Sequence, residues 1–532
     1  MLDKSKHSDF KWVFIWAIII VLLSSLPYIW GYFIAPSGYS FTGLTHNIDD
    51  GAVYLSWMRQ AADGHFFQRN LFTSEPQPAR QFNLLFLAMG WCAAICHLPL
   101  IAVFHLFRIV LGIALILCLW QFSKLFLADE ASRRIFIPLV GLSAGIGWMF
   151  PNASAPTGPV DIWQPEAITF LSIYLNPLFL AGLLLMVGAL YWLELARREG
   201  KAKYAAYAGF HLLILGNVHT YDVLTVACIW LCLLIYQFIS KQSRAELFRT
   251  IKLSALTAII AAPSTAYQFW VYAGDPIYRA RANTSISSPP LLSFILGYGL
   301  VLVVAIAAVW MMKKAKLINS AVSLPIVWSI VGFAIPYIPI AQQRKLVMGL
   351  HIPLCILCAY ALSLLITRIP TIISRLTLAL IIAITAISNV NFTVNDMTLL
   401  TQGRTVTHYP AYLTDHQLAA MRYLHLHAKP DDTIFAGPAF SLFVPACTGD
   451  QVYYGHWSET PDYSGKLADW ASLSNITLPD DCWIDIVTGA IKKGYYVSEH
   501  PSFDIRPALA DRFSPCFTSG DVKIYRLSPI GK

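Results

Sequence analysis

Charge is scarce in this chain. Only 13% of its 532 residues are Asp, Glu, Lys or Arg, while 56% are hydrophobic. The mean hydropathy of +0.56 lies well above that of soluble domains. The net charge of +8 therefore says little about nucleic acid, no nucleic-acid partner is expected, and the Lys and Arg residues are better read by where they fall. There is no P-loop and no glycine-rich dinucleotide fingerprint, so no nucleotide site is expected. A paired CxxC metal framework, an internal repeat and a low-complexity tract are absent as well. Seven of the ten cysteines (Cys92, Cys96, Cys118, Cys228, Cys232, Cys355, Cys358) fall in apolar segments, where they act as small apolar residues. The other three, Cys447, Cys482 and Cys516, lie in a polar tail and allow at most one disulfide pair.

What the chain has in abundance is long apolar runs. A membrane span needs roughly 20 apolar residues, and many segments qualify. Trp12–Ile34 follows a short start carrying Lys4, Lys6 and Lys11. With no A-x-A-like cleavage site after it, it reads as a retained anchor with a cytoplasmic N-terminus. The basic loops 194–203, 241–252, 313–316 and 368–375 alternate with less basic ones, which makes those four cytoplasmic. The loops 219–222, 274–290 and 341–345, and everything after about residue 392, then face outward. Ile135–Phe150 is short and need not cross fully, so the count is 11 to 13 spans. The fold expected is an all-α polytopic membrane bundle over 1–392, with an acidic first outer loop at 35–81. Residues 393–532 form a small extracytoplasmic α/β domain. In that tail Thr414–His427 and Ser464–Leu473 read as helices, and Thr433–Ala436, Tyr495–Ser498 and Val522–Leu527 as strands.

The first outer loop concentrates the chemistry. His46–Arg80 gathers Asp49, Asp50, Arg59, Asp63, Arg69, Glu75 and Arg80. Helical spacing of Val53, Tyr54, Trp57, Met58 and Ala61 predicts a helix after Asp49-Asp50, closed by Gly64 and lying flat at the membrane surface. Either Asp could simply cap that helix. Two adjacent acids repel, however, and one cap would suffice, so a carboxylate serving as general base is the alternative. Asp161 and Glu166 are loop acids before a span, either solvated or near a substrate. His219 and Asp222 end an apolar run, where ionisable groups are costly and usually functional. They either face water or serve a substrate, and a His–carboxylate pair can also hold a divalent metal, though no spacing here is diagnostic. Arg344 and Lys345 break the positive-inside pattern on the outer side. An anionic ligand such as a phosphate would justify them, as would lipid headgroups or a loop acid. Arg279 and Arg281 admit the same argument more weakly.

Asp50-Gly51-Ala52-Val53-Tyr54 resembles the D-E-x-x-Y signature of GT-C polyprenyl-phosphate-dependent glycosyltransferases, among them the protein O-mannosyltransferase and aminoarabinose transferase families. DGAVYLSWMRQAADG, FTSEPQPARQFN, DIWQPE and QQRKLVMGLHIPL also resemble segments of an uncharacterised bacterial GT-C-like membrane family. The resemblance implies an inner-membrane enzyme whose first-loop Asp, here Asp50, is the catalytic base. The acid usual at the next position is replaced by Gly51, and Asp49 stands in its place. It also implies a sugar on a polyprenyl phosphate as donor, its phosphate met by Arg344 and Lys345 with Arg59 or Arg80. The acceptor would be a glycan, lipid or protein hydroxyl, attacked with inversion. A transporter or flippase of lipid-linked sugars would share the bundle and the cations but favour inverted repeats. A non-enzymatic scaffold or receptor would leave Asp50 dispensable.

Overall fold

The computed structural model describes residues 2–240, 243–319, 321–366, 370–407 and 409–527. Lys241 and Arg368, members of two basic loops singled out above, lie outside the described residues. The chain divides into two compact units, one formed by Met1–Leu26, His105–Trp270 and Ser285–Asn395, the other by Pro27–Phe104, Val271–Thr284 and Asp396–Lys532.

Long apolar runs become long helices because every backbone polar group must be satisfied internally in lipid. Among the described residues, seven helices are long and apolar enough to cross a membrane: Asp9–Phe33, Leu100–Ser123, Pro177–Glu199, Tyr221–Ile239, Leu291–Lys314, Gln343–Leu365 and Thr371–Thr401. They mark an integral membrane protein. Ile135–Phe150 is not one of these seven: its helix is Glu130–Leu142, 13 residues long, followed by a single 3-10 turn at Gly147–Met149. In the first unit, helix ends are closed by local chemistry. Asn176 caps Pro177–Glu199 by accepting from the Phe179 N–H at 2.9 Å, and Gly200 in a left-handed conformation ends it. At that end Glu194 is fully buried and held by Arg197 Nε at 2.7 Å and Arg198 Nε at 2.6 Å, so two cations of the basic loop 194–203 are engaged by an acid.

The second unit carries both sheets. β1 (Tyr39–Phe41) pairs antiparallel with β2 (Tyr412–Thr414), tying the first loop to the chain after residue 396. β3 (Thr433–Phe435), β4 (Gln451–Val452), β5 (Gly494–Ser498), β6 (Phe513–Ser519) and β7 (Val522–Leu527) form a mixed sheet in the order β4-β3-β5-β7-β6. β3 runs parallel to β4 and β5, and β7 antiparallel to β5 and β6. Its core is aromatic, with Phe435, Trp483, Tyr496 and Phe513 buried together. The tail elements fall close to the sequence expectation: helices at Asp415–His427 and Tyr463–Ser472, and strands β3, β5 and β7. Thr414 makes a reciprocal capping box with Gln417. Cys447, Cys482 and Cys516 are free thiols.

One expectation needs correction. The first-loop helix, Ile48–Ala62, is buried on nearly every side rather than amphipathic at a surface. It packs between the helices Leu84–Cys96 and Pro438–Cys447. Gln60 brackets the Arg69 backbone with two 3.1 Å hydrogen bonds, whereas the fully buried Ser56 Oγ has no hydrogen-bond partner among the described residues. Close approach is possible because position 90 is glycine, where a Cβ would stand 2.4 Å from the Met58 carbonyl oxygen.

Candidate functional site

In the second unit, the acid pair sits in the first turn of Ile48–Ala62, and Asn47 holds the cap position without a side-chain cap bond. Neither Asp therefore acts as the cap, which removes the plainest structural role for them. The two carboxylates differ sharply in environment. Asp49 is buried, accepts from Trp457 Nε1 at 3.1 Å, and has its other oxygen without a hydrogen-bond partner among the described residues. The Asp50 side chain is 42% exposed and accepts from Asn47 Nδ2 at 2.7 Å.

His456, which follows β4, faces both acids. Its Nε2 lies 3.4 Å from Asp50 Oδ1 and 3.8 Å from Asp49 Oδ2, and the ring is fully buried. The Ser458 backbone N–H donates to His456 Nδ1 at 3.2 Å, which places the proton of the neutral ring on Nε2, toward the acids. Ser458 Oγ, also 3.2 Å from Nδ1, can accept once the ring is protonated. Burial raises the Asp49 carboxyl above its usual value, and repulsion from Asp50 adds to this, outweighing His456 and Trp457. Burial alone would lower His456, but the hydrogen bond and charge of Asp50, with Asp49 and Glu459, raise it above 6.5. Glu459 in turn is buried and paired with Arg281 at 2.7 Å, whose guanidinium lies 4.8 Å from the centre of the Trp57 ring.

Arg59 and Arg80, the first-loop cations considered for a phosphate, lie elsewhere in this unit. Arg59 is clasped by Asp63 through Nε at 2.9 Å and Nη2 at 2.8 Å, one turn along the same helix. Arg80 is half-buried, with Nη1 3.5 Å from the Gly274 carbonyl oxygen.

The first unit brings three of the singled-out stretches together. Arg344 lies over the Trp163 ring at 5.3 Å, its carbonyl accepts from Gln164 Nε2 at 3.2 Å, and its Nε has no hydrogen-bond partner among the described residues. Lys345 lies over the Tyr221 ring at 5.1 Å. Beside Tyr221, His219 Nδ1 stands 3.0 Å from Asp222 Oδ2, both groups buried. Asp161 is fully buried and accepts from the Gly147 N–H at 3.0 Å, an anchor for a backbone turn rather than an open acid. Glu166 is buried in the adjoining 3-10 turn Pro165–Ala167. Among the described residues no cluster of three or more His, Cys, Asp or Glu side chains is arranged to hold a metal ion.

Sequence reasoning missed His456, Trp457 and Glu459. The signal was a histidine and an acid flanking tryptophan in Gly455-His456-Trp457-Ser458-Glu459-Thr460, and only the fold shows what that hexapeptide faces.

The fold is that of the GT-C membrane glycosyltransferases. Among solved structures the chain is similar to the oligosaccharyltransferase AglB of Archaeoglobus fulgidus, tethered to an acceptor peptide (TM-score 0.57, 13% identity, covering 91% of this chain and 69% of that one). ArnT from Cupriavidus metallidurans, bound to undecaprenyl phosphate, matches at TM-score 0.54 and 13% identity over 96% of this chain and 98% of that one. The mycobacterial arabinofuranosyltransferase AftD matches at TM-score 0.52 and 16% identity over 97% of this chain and 41% of its own. No family model matches the sequence, and no curated protein does.

Proposed function

We propose that the protein is a membrane glycosyltransferase that moves a sugar from a polyprenyl-phosphate donor to an acceptor hydroxyl on the extracytoplasmic side, with Asp50 as general base. The observation that carries this reading is the asymmetry of the acid pair. Asp50 is accessible and held by Asn47 and His456, whereas Asp49 is buried and disfavoured as an anion. Asp50 removes the acceptor O–H proton, and the oxygen attacks the anomeric carbon with inversion. The bond from that carbon to the phosphate oxygen breaks, and the polyprenyl phosphate leaves with the electron pair. A base at this position is worth about 10²–10⁴-fold in rate.

The first unit's Arg344 and Lys345 are assigned to the donor phosphate, because a leaving group gains most from fixed cations as its charge develops. Arg59 is dropped from that role, since Asp63 already occupies its guanidinium fork. The GT-C fold and the undecaprenyl phosphate of the ArnT structure support a lipid-linked donor.

The test is purified protein in lipid with a panel of polyprenyl-phosphate sugars, following release of free polyprenyl phosphate. Asp50→Asn should abolish release while donor binding survives. If donors bind, no polyprenyl phosphate is released, and Asp50→Asn and Asp49→Asn bind and move donors like the wild type, the enzyme reading yields to a transporter.

A further inference from the structure

The carboxyl ends of the three parallel strands carry a second group of side chains that the transfer chemistry leaves unused. After β3, Gly437 caps the helix Pro438–Cys447; after β4 comes Tyr454; after β5 comes Glu499. The helix Tyr463–Ser472 adds Tyr463 and Trp470, and the chain before β2 adds Tyr409. Tyr409 and Tyr463 meet hydroxyl to hydroxyl at 3.2 Å. Tyr454 forms the floor: it is fully buried, its ring is 6.0 Å from that of Tyr463, and its Oη has no hydrogen-bond partner among the described residues. Glu499 accepts from Gln417 Nε2 at 2.7 Å. It lies beside Gly437, where an added Cβ would stand 2.8 Å from Glu499 Oε2 and 3.3 Å from the Trp470 indole. Trp470 is itself braced by Phe503, with ring centres 4.2 Å apart.

We propose that this group is the acceptor subsite and that the acceptor is a carbohydrate without negative charge. The proposal rests on the transferase reading above. Four observations support it. Open sheets bind ligands at the carboxyl ends of their parallel strands. Aromatic rings offer flat apolar faces to the C–H faces of a sugar, while tyrosine hydroxyls both donate and accept, as sugar hydroxyls require. A fully buried hydroxyl without a partner calls for an explanation, and an acceptor hydroxyl supplies one for Tyr454. The site lies by the acid pair, for Tyr454 stands two residues before His456, whose Nε2 is 3.4 Å from Asp50 Oδ1. Burial holds both the Tyr454 and Tyr409 hydroxyls above their ordinary range, so they remain neutral. An anionic acceptor would be repelled by the accessible Asp50 carboxylate, since like charges brought together select against a partner.

The experiment measures binding rather than turnover. Full-length protein in lipid nanodiscs is titrated with neutral manno- and gluco-oligosaccharides, with uronate-containing counterparts and with a Ser/Thr peptide, read by tryptophan fluorescence and saturation-transfer NMR. Neutral oligosaccharides should bind, and Tyr454→Phe should weaken them about three- to tenfold, the worth of one net hydrogen bond. Gly437→Ala, whose Cβ would displace the Glu499 carboxylate, should weaken them as well. Asp50→Asn should lose turnover yet keep this binding, which separates the two readings. The subsite is refuted if no neutral oligosaccharide binds wild type, if only the peptide or the uronates bind, or if Tyr454→Phe and Gly437→Ala both bind like wild type. Loss of donor turnover in the wild type alone would refute the transferase and leave the sugar site standing.

Discussion

Replacing His456 tests the site at its least obvious residue. His456→Ala removes the group whose Nε2 stands 3.4 Å from Asp50 Oδ1. A polar contact to a charged group is worth about 1.5–3 kcal/mol. Because the Asp50 side chain is 42% exposed, solvent replaces part of the loss and the lower end applies. The base works ionised, so removing a partner that favours the carboxylate moves the acid limb of the turnover profile to higher pH. The variant should therefore lose about tenfold more activity at pH 5 than at pH 8 relative to wild type, the rate equivalent of about 1.4 kcal/mol. His456→Gln, which can present a side-chain N–H from a similar position, should move the limb back. The assay is release of polyprenyl phosphate across pH, with circular dichroism confirming that each variant is folded. An acid limb that stays in place in folded His456→Ala would refute the reasoning, and so would a Gln variant that behaves like Ala.

The remaining predictions address other parts of the molecule. Asp50→Asn should reduce transfer by about 10²–10⁴-fold, and Asp49→Asn by less, because Asp49 is covered by Trp457; equal losses in the two variants would undo the assignment of the base. Arg344→Ala should raise the apparent KM for the lipid donor about tenfold or more, the worth of one charge-assisted hydrogen bond, with no comparable change for the acceptor. Trp483→Ala empties the core beneath the mixed sheet and should cost about 3–5 kcal/mol, seen as a lowered unfolding midpoint. The folded-state pKa values of Asp49 and His456 are both raised. For each, the folded form holds its proton more tightly than the unfolded chain, so the stability it contributes is present below its unfolded pKa and is lost as pH rises through the folded value. Thermal scans should show stability falling on that side, and a flatter dependence in Asp49→Asn; an unchanged slope would contradict the burial of that carboxylate.

The sequence by itself determined the membrane class, the acidic first loop and most elements of the tail. These are local properties: uninterrupted apolar runs at helical length and β-branched and aromatic alternation in Val522–Leu527 are read from neighbours along the chain. It also singled out DIWQPE, His219–Asp222 and Arg344-Lys345 as separate stretches, and the first unit assembles them through Trp163 and Tyr221. Tertiary structure alone decided two things. Ile48–Ala62 is buried because the helices Leu84–Cys96 and Pro438–Cys447 pack against it, and a periodicity cannot reveal what covers it. The two acids acquire different characters because residues some four hundred positions later, His456 and Trp457, return to touch them. Desolvation and hydrogen bonding act through space, so the division of labour between Asp49 and Asp50 exists only once the chain has folded.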